Sequence, residues 1–110
     1  MMLDISPFVG FLRRRDLKKA RDWLEQNKRT MNVDDEFVKG YLLALSGMVS
    51  GLEGGELSVI KQLVNGGYQD EGVERLARDL RERLSLKFRP RDEQGFDTAW
   101  LELLQEFMGK

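Results

Sequence analysis

Residues 34–55 read DDEFVKGYLLALSGMVSGLEGG, and this stretch predicts the central helix of the protein. Asp34 precedes the apolar run as an N-cap does, because its side-chain oxygen can accept a hydrogen bond from a free N–H group of the first turn. Two more acidic residues follow at once, where the helix dipole favours negative charge. The Gly54-Gly55 pair ends the pattern, as glycine commonly does after a helix. We therefore predict a helix over about 34–53.

The predicted central helix has two different faces. The bulky face carries large side chains at helical intervals: Phe37, Tyr41, Leu45, Met48 and Leu52. The smooth face carries small residues: Gly40, Ala44, Gly47 and Gly51. Glycine inside a helix costs roughly 1 kcal/mol relative to alanine, so the three glycines need a compensating contact. We expect a second helix to cross the smooth face at close range, within the chain or, as the alternative, in a homodimer.

Two shorter helices are predicted on the N-terminal side of the central one. Ser6-Pro7 is a typical helix start, with a capping hydroxyl and then proline at the first helical position. The apolar stripe after Asp16 is rotated by about a third of a turn from the stripe before it, at about 3.6 residues per turn. This offset predicts helices over about 7–14 and 17–28, with Asp16 as the second N-cap. A single bent helix is the alternative.

Three helices are predicted on the C-terminal side. A short one covers about 57–64 before an Asn-Gly-Gly stop, and a longer one covers about 71–88 before Pro90. Asp97 is the predicted N-cap of the last helix, over about 98–108. No segment has the alternation of apolar and polar residues that is typical of a strand.

The fold that these patterns predict is all-α. We expect a compact array of five or six short helices around the central glycine-containing apolar helix at about 34–53. Residues 1–110 are predicted to form a single helical domain, since this length fits one domain and can bury a core.

The composition excludes several classes of site. The chain has 110 residues, 34% of them charged, and contains neither cysteine nor histidine. Disulfides, zinc sites built on cysteine or histidine, and nucleophiles paired with histidine are therefore ruled out. No catalytic, cofactor-binding or metal-binding motif stands out in the sequence. We therefore predict a non-enzymatic protein with no cofactor.

The sequence also predicts the cellular location of the protein and the type of organism from which it comes. The N-terminal residues lack the basic and apolar regions of a signal peptide. No apolar run reaches the roughly 20 residues that a membrane span needs. With the lack of cysteine, these features predict a cytoplasmic protein with no membrane contact. High charge and only eight Asn plus Gln residues favour a thermophilic origin.

The last predicted helix carries more apolar side chains than one face of a small domain usually needs. We expect them to be shared between the core and a surface that binds a protein partner or a second copy of the chain. The residues predicted to bind the partner are Trp100, Leu104, Phe107 and Met108. The leading hypothesis is a non-enzymatic helical protein–protein interaction module that self-associates as a homodimer.

Basic residues support a second hypothesis. They concentrate near the first helix junction and again before the last helix, whereas acidic residues concentrate elsewhere. Such segregation is typical of a phosphate-binding face, although a solvated helix surface shows the same pattern. The alternative function is therefore a nucleic-acid-associated helical protein that binds through Arg13, Arg14, Arg15, Lys18, Lys19, Lys87, Arg89 and Arg91.

Overall fold

The computed structural model describes residues 3–54 and 58–109, and it confirms the all-α prediction. No strand occurs in these two ranges. The overall extents are 33 × 31 × 27 Å, so the helices form a compact array. The six helices in the described ranges are α1 (Ser6–Arg13), α2 (Leu17–Lys28), α3 (Glu36–Glu53), α4 (Val59–Val64), α5 (Asp70–Leu84) and α6 (Arg91–Phe107).

The junction of α1 and α2 is a true break, which rules out the single bent helix. Arg15 has a φ of 58°, in the left-handed region that does not continue an α-helix. The side chain of Asp16 then accepts a hydrogen bond from the backbone N–H of Lys19 at 3.3 Å. The predicted N-cap of the second helix is therefore confirmed.

The N-cap of α3 lies one residue later than predicted. Asp35 is the N-cap, because its Oδ1 accepts a hydrogen bond from the Val38 N–H at 3.2 Å. The prediction of Asp34 was wrong: its own N–H donates to the Asn32 side chain at 3.2 Å, which places it in the preceding turn. The helix ends at Glu53 as predicted, and Gly54 follows it. Gly55, the second residue of the predicted stop, lies outside the described residues.

The core lies mainly between α3 and α6. Tyr41 and Leu45 of α3 and Leu103 of α6 are completely buried there. The two helices approach closely where each has a glycine. A Cβ atom on Gly40 would lie 1.8 Å from the carbonyl oxygen of Asp92, and one on Gly95 would lie 1.9 Å from that of Phe37. The predicted close crossing at the smooth face is therefore real at Gly40, and it is intramolecular.

The smooth face is not a continuous seam, however. A Cβ on Gly51 would lie 2.6 Å from Cγ2 of Ile60, so α4 packs closely at this end of α3. Gly47 lies between the two contacts and is exposed, with no described atom within 4 Å of a Cβ at that position. The expectation that Gly47 packs against another helix of the chain was wrong, since α6 covers Gly40 and α4 covers Gly51 but neither reaches Gly47.

Two of the last three helices have bounds that differ from the prediction. The predicted start of α4 at residue 57 lies outside the described residues, and its end at Val64 is confirmed. The fifth helix stops at Leu84 rather than at 88, and α6 begins at Arg91 rather than at 98. Asp97 is therefore not an N-cap but a residue inside α6 with a side chain that is almost fully buried. Asp92 and Glu93 occupy the first turn of α6 instead, where the helix dipole favours them.

A membrane-spanning helix is absent from the described ranges, since no helix there is both long and apolar enough.

Candidate partner-binding groove

A groove opens on the surface where α4, α5 and α6 meet, and we call it the α4–α5–α6 groove. Its volume is about 230 Å³. Most of its lining is apolar, with one acidic and one basic side chain. The apolar residues are Val59, Leu76, Leu80, Phe96, Trp100 and Leu104, and the charged residues are Asp79 and Arg83.

Helical spacing explains why these apolar side chains line one groove. Leu76 and Leu80 are one turn apart on α5, and Phe96, Trp100 and Leu104 follow one another at four-residue intervals on α6. Residues four apart lie on the same side of a helix. Two apolar stripes on adjacent helices therefore form the two walls.

The short helix α4 is held in place by its cap. The Ser58 hydroxyl accepts a hydrogen bond from the Lys61 N–H at 3.2 Å and donates one to the Gly51 carbonyl oxygen at 3.1 Å. The Lys61 ammonium group also donates to the Gly54 carbonyl oxygen. These bonds tie α4 to the end of α3, so Val59 has a defined position at the groove.

The groove has a buried floor and accessible edges. Leu104 is only 1% exposed and Leu80 is also buried, so both lie at the bottom. Trp100 is half-buried. Val59 and Phe96 are among the exposed large apolar residues of the protein. A ligand in the groove would therefore contact aromatic and aliphatic side chains that solvent now reaches.

The structure brings together two of the four residues predicted to bind a partner. Trp100 and Leu104 line the groove, whereas Phe107 and Met108 lie elsewhere. The ring of Phe107 is covered by the guanidinium group of Arg13, 4.3 Å from the ring centroid. Met108 follows the last residue of α6 and packs, partly buried, against the core. Many of the apolar side chains of α6 therefore pack within the protein and are not free to bind a partner.

Sequence reasoning missed the contributions of α4 and α5 to the groove. Helical periodicity places Leu76 and Leu80 on one apolar stripe of α5, and a stripe does not show which of its members stays accessible. Phe96 lies in a segment that was predicted to precede the last helix. The spacing of Phe96, Trp100 and Leu104 was the available signal, but it requires α6 to begin before residue 96.

A cluster of charged side chains fixes the loop between α5 and α6 beside the groove. The buried carboxylate of Asp97 accepts hydrogen bonds from Arg89 at 2.5 Å and from Arg83 at 3.3 Å. Arg89 also pairs with Glu93 at 2.8 Å. The hydrogen bonds to Glu93 and to Asp97 raise the pKa of Arg89 above its usual value. Asp97 therefore joins the end of α5, the loop and α6.

One polar contact crosses the core between the two central helices. The hydroxyl of Tyr41 donates a hydrogen bond to Oε1 of Glu102. Burial raises the pKa of Glu102 above its usual value, and the hydrogen bond from Tyr41 opposes this effect. Burial also raises the pKa of Tyr41, with Glu102 adding to the shift, so the phenol stays protonated and can donate.

The basic residues of the alternative hypothesis fall into two separated groups. Arg13 donates to the carbonyl oxygen of Glu106 at 3.3 Å, near the C-terminal end of α6. Arg91 is the first residue of the same helix. Glu106 is fifteen positions after Arg91 along α6, which corresponds to about 22 Å at roughly 1.5 Å per residue. The structure does not bring the two groups into one patch.

Most of these basic side chains also have partners within the chain. Lys18 pairs with Asp22 at 3.2 Å and Lys19 with Asp16 at 3.8 Å. The remaining contacts involve rings or polar atoms: Arg14 lies over Phe11, Arg91 lies over Phe37, and Arg15 donates to the Asn65 side chain. Arg89 is held by two carboxylates, and Lys87 is exposed with no ion pair among the described residues.

In the part of the chain that the structure describes, no group of three or more acidic side chains could hold a metal ion. Neither a family model, nor a curated protein, nor a solved structure matches the sequence or the fold.

Proposed function

We propose that this chain is a non-enzymatic protein–protein interaction module that receives an apolar side chain of its partner in the α4–α5–α6 groove. The observation that carries the proposal is the groove itself, in which Trp100 is half-buried between apolar neighbours. Binding pockets are typically concave, mainly apolar and provided with a few polar groups that orient the ligand. Asp79 and Arg83 are such groups here.

The size of the groove suits one large side chain. A closed apolar cavity of about 150 Å³ takes a benzene ring, and the groove has about 230 Å³. Tryptophan and arginine are also enriched among the residues that contribute most to the binding free energy of protein interfaces. An aromatic or long aliphatic anchor with an adjacent charge is therefore the expected ligand.

Binding of nucleic acid receives less support from the geometry. A phosphate-binding face needs several free cationic groups on one surface. The two basic groups lie at opposite ends of α6, and Lys18, Lys19 and Arg89 are paired with carboxylates. The geometry therefore supports the interaction module better than it supports a nucleic-acid-binding protein.

A peptide library displayed on phage tests the proposal. Peptides are selected on the wild-type chain and then measured against Phe96→Gln, which removes an accessible wall of the groove. Val33→Ser is the matched control, because Val33 is also an exposed apolar residue but does not line the groove. Selected peptides should carry a large apolar residue, bind Val33→Ser as they bind the wild type, and bind Phe96→Gln more weakly.

Tryptophan fluorescence provides a direct readout of the site. The chain has two tryptophans, and Trp23 packs on Phe8 with the ring centroids 5.3 Å apart. A Trp23→Phe background leaves Trp100 as the reporter. Bound peptides should shift its emission. If no peptide is selected, or if all selected peptides bind Phe96→Gln and the wild type equally, the proposed function is wrong.

A further inference from the structure

The loop between α5 and α6 exposes an aromatic side chain. Phe88 is 97% exposed, and Leu86, two residues earlier, is 58% exposed. Lys87 lies between them, and we call residues 86–88 the anchor segment. Isolated apolar residues on a surface are common. Exposure alone therefore does not indicate that the anchor segment binds a partner, and its position must be considered as well.

The loop that carries Phe88 is held in place at Arg89, the residue that follows Phe88. The guanidinium group of Arg89 is bonded to Asp97 at 2.5 Å and to Glu93 at 2.8 Å. The carbonyl oxygen of Arg89 accepts a hydrogen bond from the Gln94 amide at 3.1 Å. Both the backbone and the side chain of Arg89 are thus fixed to α6. This reduces the conformational entropy that Phe88 would lose on binding.

The anchor segment and the α4–α5–α6 groove lie on neighbouring parts of one surface. Arg83 lines the groove and also reaches Asp97 at 3.3 Å. Arg89 binds the same carboxylate and is the residue directly after Phe88. A two-fold contact between identical copies needs donor and acceptor features on the same patch, and this patch has both.

The charges of the two features are complementary. Lys87 in the anchor segment and Asp79 in the groove lining are both exposed, and neither has an ion pair among the described residues. Phe96 also borders a second depression of the surface. Its charged lining consists of three acidic residues and one lysine: Glu36, Asp92, Glu93 and Lys39. Arg83, the basic residue of the groove lining, is paired with Asp97. A basic segment with an aromatic tip therefore matches the remaining acidic charge around the groove.

We propose that the occupant of the groove is the anchor segment of a second copy of this chain, with Phe88 inserted between Trp100 and Leu80 and Lys87 facing Asp79. In a symmetric dimer each copy supplies one anchor and one groove. This inference rests on the proposed function, because it uses the same groove and names the partner.

Light scattering after size-exclusion chromatography tests the inference at high micromolar concentration. The wild type and the Val33→Ser control should be dimeric. Phe88→Ala should weaken the dimer by at least about tenfold, which is about 1.4 kcal/mol. Its melting temperature at low concentration should not change, since Phe88 makes almost no contact within the monomer.

Charge reversal tests whether the partner is a second copy. Lys87→Glu and Asp79→Lys should each weaken the dimer several-fold, because each places like charges opposite one another. A chain that carries both substitutions should recover affinity, since every copy then presents the reversed pair. In addition, an equimolar mixture of Phe88→Ala and Phe96→Gln should form a heterodimer through the one anchor and groove that remain intact.

The outcomes separate the inference from the proposed function. A monomeric wild type, a dimer that Phe88→Ala leaves unchanged, or a double charge reversal that stays as weak as the single variants overturns the inference. Peptides that bind through the groove would leave the proposed function standing in each of these cases. If groove-dependent peptides are also absent, the proposed function fails as well.

Discussion

Gly40 of α3 and Gly95 of α6 allow the two central helices to touch along their backbones. A Cβ atom on Gly40 would lie 1.8 Å from the Asp92 carbonyl oxygen, and a Cβ on Gly95 would lie 1.9 Å from the Phe37 carbonyl oxygen. Each glycine therefore makes room for a backbone carbonyl group of the opposite helix. Because a backbone group cannot move aside as a flexible side chain can, this contact sets the distance between α3 and α6.

Alanine substitutions at Gly40 and Gly47 are expected to change stability in opposite directions. Gly40→Ala should lower the free energy of unfolding by about 1–3 kcal/mol, because the added methyl group overpacks against Asp92. Gly47→Ala should raise it by up to about 1 kcal/mol, because alanine is the better helix former and the position is open. Urea denaturation measures both. The same sign for the two variants would contradict the packing of α3 described above.

Removal of the Asp97 carboxylate should destabilise the fold. Asp97→Ala leaves Arg83 and Arg89 without their shared partner inside the α5–α6 junction. We expect a loss of about 2 kcal/mol, less than for a fully buried pair because Arg83 is half exposed and screened by water. Asp34→Ala, at an exposed acidic position in the turn before α3, should change stability by less than about 0.5 kcal/mol. Equal effects of the two variants in thermal melts would argue against the charge cluster.

Glu102→Gln should stabilise the protein at neutral pH. Burial raises the folded-state pKa of Glu102 above its unfolded value near 4.5, so folding favours the protonated form. The contribution of this group to stability is therefore complete below pH 4.5 and is lost as the pH rises through the raised pKa. Glutamine has no charge to bury and can still accept the hydrogen bond from Tyr41. The variant should melt higher than the wild type at neutral pH.

The pH dependence of the difference in melting temperature between Glu102→Gln and the wild type checks this prediction. As the pH falls toward 4.5, Glu102 becomes protonated and the wild type should approach the variant in melting temperature. Glu71→Gln, at an exposed position on α5, reports the general effect of removing one carboxylate. A gap between Glu102→Gln and the wild type that widens on acidification would mean that Glu102 is stabilised in its charged form.

Duplex DNA is expected to bind weakly at low salt. A patch with four or five phosphate contacts would give a log–log salt slope near −4, at roughly 0.9 per contact. The separation of the basic groups along α6 and their ion pairs predict a much shallower slope. Fluorescence anisotropy at several salt concentrations measures it. A steep slope that flattens when Arg13, Arg14 and Arg15 are replaced by glutamine would restore the nucleic-acid hypothesis.

Local sequence determined the elements whose ends depend on neighbouring residues. The break before α2 follows from Asp16, which caps the helix with its own side chain. The length of α3 follows from an acidic start, a mainly apolar run and Gly54. Capping and helical periodicity act within a few residues of chain, so these features are legible in the sequence alone.

Tertiary packing decided the features that local rules misjudge. Gly95 in its polar surroundings is typical of a loop, yet it lies inside α6 because α3 passes against it. Gly40 and Gly47 have the same local character, but only Gly40 meets another backbone. The groove likewise joins Leu80 of α5 to Trp100 of α6. Periodicity places each residue on one side of its own helix, whereas the contact between helices depends on how their side chains and backbones fit in three dimensions.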